Sequence, residues 1–150
     1  AKTACPDGNC LGMRFSIDTG SQRRFALVGV DLDWPKGARG EPEHLADLSG
    51  VSEVGFWADG EGSFRFQLHL ASPSGYRTCS APFSVDSSWT RYDMPISSMT
   101  CDGTGTVDRS NAIGITFLAQ SDARLRLGRI VLLGASPRSV FPDLRQGASP

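Results

Sequence analysis

The sequence predicts an all-β protein, an antiparallel sandwich of two sheets with about eight strands. Three observations carry that expectation. Apolar residues recur with period two in short segments, whereas the 3.6-residue period of an amphipathic helix is hard to find. Turn chemistry interrupts these segments at short intervals, with 17 Gly and 9 Pro acting as punctuation. The stretch from Leu48 to Leu70 reads as two alternating strands joined by a glycine-acid turn, and its second strand has two unlike faces. Phe64, Phe66, Leu68 and Leu70 share one side, while Arg65, Gln67 and His69 share the other, so one face belongs to a core and the other is free to meet a ligand.

Taken in order, the first strand is expected over residues 13–17, stopped by Asp18-Thr19-Gly20-Ser21. Residues 25–32 form the second, an apolar run from Phe25 to Leu32 that ends before Trp34-Pro35-Lys36-Gly37. The connection from Trp34 to Ala46 is the longest, with one helical turn expected at His44-Leu45-Ala46-Asp47. Strands follow at residues 53–57 and 64–70 around the turn Asp59-Gly60-Glu61-Gly62, and then at residues 82–85 after Pro73-Ser74-Gly75. Residues 90–96 alternate Tyr92, Met94 and Ile96 against Arg91 and Asp93. After the loop Cys101-Asp102-Gly103-Thr104-Gly105, residues 112–119 and 124–133 supply the last two strands. Short antiparallel strands with two apolar inner faces point to a jelly-roll topology, whose outer faces and loop ends are the usual places for a ligand. Residues 1–134 are expected to form one binding module, and residues 135–150, with three Pro and little periodicity, a C-terminal extension or linker.

Composition narrows the function. The chain has 150 residues, enough for a single core, and its 15 Lys+Arg against 16 Asp+Glu leave a net charge of -1. That balance removes the electrostatic case for nucleic acid or an anionic membrane surface. No apolar run reaches the roughly 18–20 residues that cross a bilayer, and no leader pattern opens the chain, which reads as a mature or excised fragment. The four cysteines lack the paired spacing of a structural zinc site and allow three disulfide pairings. Cys5 with Cys10 would close a short loop, and Cys79 with Cys101 would tie two segments flanking the Trp89 strand. Two such bridges imply an oxidising, extracytoplasmic setting.

The order of four stretches resembles the β-jelly-roll carbohydrate-binding modules of the wider galactose-binding-domain-like group. They are Phe25-Ala26-Leu27-Val28-Gly29-Val30; Asp47-Leu48-Ser49 with Val54-Gly55-Phe56-Trp57-Ala58-Asp59-Gly60; Trp89-Thr90-Arg91-Tyr92-Asp93-Met94-Pro95-Ile96; and Asn111-Ala112-Ile113-Gly114-Ile115 with residues 125–133. The resemblance implies a secreted, non-catalytic, monomeric module of a larger protein, tethering a glycoside hydrolase or surface protein to a polysaccharide, with β-glucan as the expected ligand. It implies no cofactor. Many such modules hold a structural calcium through an Asp in the final strand, where this chain has Leu127-Gly128-Arg129; a second conceivable calcium loop spans Asp102 to Asp108.

Sugars are bound by flat aromatic faces against C–H patches and by planar polar side chains that pair with hydroxyls. Arg65, Gln67 and His69 supply the polar row, spaced about 7 Å apart on one strand face. Thr116 and Gln120 extend it if their strand joins the same sheet, as do Asp31 and Asp33 from the second strand. Trp34, beside Pro35, and Tyr76, after a Pro-Ser-Gly turn, are candidate aromatic platforms, whereas Trp57 and Trp89 are expected in the core.

Three readings compete with this one. Asp18-Thr19-Gly20-Ser21 after an apolar strand, with Val131-Leu132-Leu133-Gly134, reproduces the active-site turn of an aspartic protease, which would need a homodimer to pair its carboxylates. A glycosidase pair could in principle be drawn from the turn carboxylates Asp31, Asp33, Asp59 and Glu61. A protein-binding adhesin or assembly module on the same fold is the other alternative, marked by an exposed apolar patch.

Overall fold

A computed structural model describes residues 5, 6, 8, 10–17, 25–32, 45–73 and 75–140. Eight strands occur among them: β1 Leu11–Phe15, β2 Ala26–Asp31, β3 Glu53–Ser72, β4 Gly75–Val85, β5 Thr90–Pro95, β6 Thr100–Cys101, β7 Ala112–Ala119 and β8 Ala123–Leu133. All pairings are antiparallel. One sheet runs β1-β8-β3-β5 and the other β2-β7-β3-β4-β6. Strand β3 belongs to both.

That sharing corrects the expected turn at Asp59-Gly60-Glu61-Gly62. The chain does not reverse there but passes from one sheet to the other, pairing with β8 as far as Glu61 and with β4 from Gly62 onward. Gly60 at φ +145° and Gly62 at φ +119° make the corner, in backbone regions that side chains rarely adopt. The flanking acids are held by the neighbouring strand. Asp59 is buried and takes both Nε and Nη2 of Arg126, and Glu61 pairs with Arg124 at 2.9 Å. Asp59, named above among the turn carboxylates, is therefore engaged and shielded from solvent.

Between the sheets the alternation read from β3 is obeyed. Val54, Phe56 and Ala58, then Phe64, Phe66, Leu68 and Leu70, are all buried. Phe56 is the hub, with the rings of Phe66, Phe83, Tyr92 and Phe117 centred 5.8, 5.4, 5.5 and 5.1 Å away. Burying one such ring contributes about 1.5–3 kcal/mol. The same parity turns Trp57 outward, opposite Arg91 on β5, so it is half-buried on an outer face and not in the core as expected. Trp89 is likewise only half-buried, with the Arg126 guanidinium 4.8 Å from its ring centroid.

Three further boundaries differ from expectation. β4 starts seven residues before Pro82, because pairing with β3 begins at once, with Ser72 opposite Gly75. The helical turn expected around Ala46 is instead a single β-bridge to Ala112, with hydrogen bonds of 3.1 and 2.8 Å. Beyond β8 the chain continues into a short helix α1, Pro137–Val140, and Val140 packs into the core while its carbonyl accepts from Asp47 N. Both disulfides are present, Cys5–Cys10 and Cys79–Cys101, the latter between residues directly opposed on β4 and β6. Closing 22 residues of chain contributes about 3 kcal/mol in the chain-entropy account.

Candidate functional site

Because β3, β4 and β7 lie side by side, the outward residues of β3 meet partners on both flanks. Arg65 lies between Pro82 and Leu118, Gln67 between Ser80 and Thr116, and His69 between Thr78 and Gly114. The register of β7 slips by one residue beside His69, where Leu70 pairs with Ala112, a bulge of the kind that re-aims side chains.

The polar row is wired together. The His69 imidazole spans Thr78 Oγ1 at 3.2 Å from Nδ1 and Thr116 Oγ1 at 2.9 Å from Nε2, and the Thr116 hydroxyl donates to Gln67 Oε1 at 3.0 Å. A hydroxyl has one proton to give. With that of Thr116 committed to Gln67, His69 carries its hydrogen on Nε2 and accepts at Nδ1 from Thr78. Gln67 is thus fixed with its oxygen toward β7 and its amide hydrogens free to face outward. At the other end, Arg65 Nη1 donates to Ser80 Oγ at 3.0 Å, and Ser63 and Ser84 share a 3.0 Å contact.

Thr78 is itself held from behind. Its N–H donates to the Asp102 carboxylate at 2.8 Å, and the neighbouring Arg77 guanidinium donates to the carbonyls of Asp102, Gly105 and Thr106 at 2.6–3.2 Å. The backbone oxygens of the loop considered above for calcium therefore face an arginine. The Cys79–Cys101 bridge anchors the base of the same loop.

Half-burial holds the His69 imidazole below its ordinary value of 6.5, opposed more weakly by the Asp102 charge. His69 is neutral in the fold at neutral pH. Between its folded value and 6.5 the unfolded chain binds more protons, so stability rises with pH across that window and is lost as pH falls through it. Melting curves between about pH 5 and about pH 7 should show this component in the wild type and lack it in His69→Gln.

Two grooves open on this face. One of about 230 Å³ is bounded by His69, Tyr76 and Thr116 with the backbones of Gly29 and Gly114. Gly114 opposite His69 and Gly29 opposite Thr116 carry no side chain to fill it. Tyr76 stands at its edge with 75% of its surface exposed, opposite the small Ala71. The second groove, about 310 Å³, is bounded by Arg65, Pro82, Leu118 and Gln120. Their centres on β3, Arg65 and His69, are about 13 Å apart.

The fold thus brings Arg65, Gln67, His69, Tyr76, Thr116 and Gln120 to one surface. Asp33 and Trp34 lie outside the described residues, as do Asp18 to Ser21 of the protease-like turn; Asp31 pairs with Gly114 through its backbone. Sequence reasoning missed Thr78 and Ser80, which orient His69 and Arg65, because β4 was expected to begin only at residue 82.

No family model matches the chain, and no curated protein does. Solved structures do. A family 30 carbohydrate-binding module superposes with a TM-score of 0.65 at 13% identity, covering 99% of this chain and 81% of its own. The fold is that of the β-jelly-roll carbohydrate-binding modules. The family 11 module of the cellulosomal cellulase Lic26A-Cel5E of Clostridium thermocellum superposes with a TM-score of 0.57 at 18% identity, covering 85% of this chain and 88% of the module. A family 11 module from the same organism, solved in complex with a β-1,3-1,4-mixed-linked tetrasaccharide, gives 0.56 at 16% identity, with coverage of 85% and 89%. The resemblance read from the ordered motifs of this chain is borne out at the level of fold.

Proposed function

We propose that this chain is a non-catalytic carbohydrate-binding module that holds a neutral polysaccharide on the outer face of β7, β3 and β4. The observation that carries the reading is the hydrogen-bonded row Thr78–His69–Thr116–Gln67, in which His69, with both ring nitrogens engaged, holds the threonine hydroxyls and the Gln67 amide in one geometry beside two grooves and the exposed Tyr76 ring. Such a row binds hydroxyls without ordering its own side chains at the moment of binding, which lowers the entropic cost of association. With His69 neutral, Arg65 is the one charged member of the Arg65, Gln67 and His69 row, and the rest of it suits an uncharged ligand. β-Glucan is the first ligand to try, since a module of this fold was solved with a mixed-linked β-glucan tetrasaccharide. Two disulfides fit a secreted protein, with the module serving a catalytic or surface partner.

Isothermal titration with a panel of soluble polysaccharides, including mixed-linkage β-glucan, xyloglucan, xylan and mannan, tests the proposal. Binding to at least one is expected, with modest affinity. A flat response to the whole panel would retire it.

An interaction module of the same fold remains the second reading, favoured by one observation. Phe25, Leu27 and Val30 on or beside β2, and Leu11 on β1, are 45–58% exposed, and a cleft of about 290 Å³ lined by Leu11, Val28, Val30 and Leu127 opens beside them. Self-association or protein capture through that edge, together with silence toward all glycans, is the outcome it requires.

A further inference from the structure

A cavity of about 570 Å³ lies not on the sheet face but at the rim of the sandwich, past the end of β3. Its size falls within the roughly 300–1,000 Å³ of small-ligand clefts. Leu45, Leu70, Ala71 and Pro73 give it an apolar lining. Thr104, Thr106, Asp108 and Asn111 bring polar groups around that lining.

The two charged groups lining this cavity, Arg77 and Asp108, are of opposite sign, and each is held by hydrogen bonds of its own. The Arg77 guanidinium is turned onto the backbone carbonyls of Asp102, Gly105 and Thr106, as described above. The Asp108 carboxylate accepts from Ser110 N at 2.9 Å and Ser110 Oγ at 2.5 Å, with Asn111 Nδ2 at 3.4 Å. Those Ser110 bonds hold its acid below the ordinary carboxylate range, so it is ionised at neutral pH and offsets the Arg77 charge. What the site offers a ligand is a set of hydroxyls, one amide and an apolar surface. That combination fits an uncharged polyhydroxylated molecule with a C–H face.

We propose that the rim cavity is a second sugar site, separate from the sheet face, taking one or two neutral sugar units such as a chain end. The inference extends the glycan reading but rests on its own residues. Thr104, Thr106 and Asn111 are exposed, so truncating them leaves the core intact.

The test uses the whole 150-residue chain, labelled with ¹⁵N and titrated with the neutral disaccharides cellobiose, laminaribiose, xylobiose and mannobiose, and with digalacturonic acid as the charged control. At least one neutral disaccharide should shift the amides of residues 71, 72, 104–106 and 108–111. Asn111→Ala should weaken that response about three- to tenfold, and Thr104→Ala by a similar factor, as expected for loss of one hydrogen bond. His69→Ala, on the other face, should leave it unchanged. The proposal is overturned if no neutral disaccharide shifts these amides, if the charged control does so better, or if the response survives both rim substitutions. Loss of the response in His69→Ala would also overturn it, because the two sites would then be one. Polysaccharide binding lost in the rim variants but retained in His69→Ala would instead contradict the sheet-face reading and leave the rim site standing.

Discussion

Gly60→Ala is expected to lower the stability of the domain by about 2–4 kcal/mol, read as a shift of the urea midpoint at unchanged slope. Two effects add. An L residue held at φ +145° costs about 1–3 kcal/mol by itself. A Cβ at this position would also be driven into the backbone carbonyl of Arg124, which cannot yield while Gly60 pairs with Leu125 and Glu61 with Arg124. Gly75→Ala separates the two terms. Gly75 has φ +123° but no atom within 4 Å of the added Cβ, so it should show the dihedral cost alone. Equal losses in the two variants would mean that the β3 corner is not what ties the sheets together.

Removing the Tyr76 ring is the second large effect. Tyr76→Ala should weaken polysaccharide binding about tenfold, the loss expected of an exposed aromatic anchor, and move the melting temperature by less than about 2 °C. His69→Ala should reach a comparable loss by another route. It frees Thr116 and Thr78 from the imidazole and lets the Gln67 amide rotate, so the hydroxyl partners are no longer presented in one geometry. Arg65→Ala weakens binding at the far groove with the melting curve nearly unchanged. Equilibrium titrations paired with thermal melts check all three. A melting temperature that collapses in His69→Ala or Arg65→Ala would make these residues structural supports and not ligand contacts.

Much of this surface was legible from period alone. The alternation of residues 64–70 placed Arg65, Gln67 and His69 on one face and four apolar residues in the core, and the fold keeps that division. The same rule applied to residues 53–59 would have turned Trp57 outward beside the buried Phe56; its place in a family-like motif argued for the core, and strand parity overrode it. The corner at Gly60 and Gly62 was not legible because two glycines between acids serve a reversal and a bend equally well, and only the pairing of Glu61 with Arg124 decides between them. The partners of the polar row were hidden because the strand after the Pro73-Ser74-Gly75 turn was expected seven residues too late. Once Ser72 is placed opposite Gly75, every pair follows, including His69 with Thr78 and Gln67 with Ser80. The rim cavity left no period to read, since its walls come from segments far apart in the chain.

The most direct test of the sheet-face assignment is amide chemical-shift mapping of the whole chain with a mixed-linkage β-glucan oligosaccharide, or with whichever polysaccharide of the panel binds most tightly. Shifts should concentrate on residues 65–69, 76–80 and 114–118 and be lost in His69→Ala. Shifts clustered instead on the opposite sheet, around Trp57, Arg91 and Arg126, would contradict it.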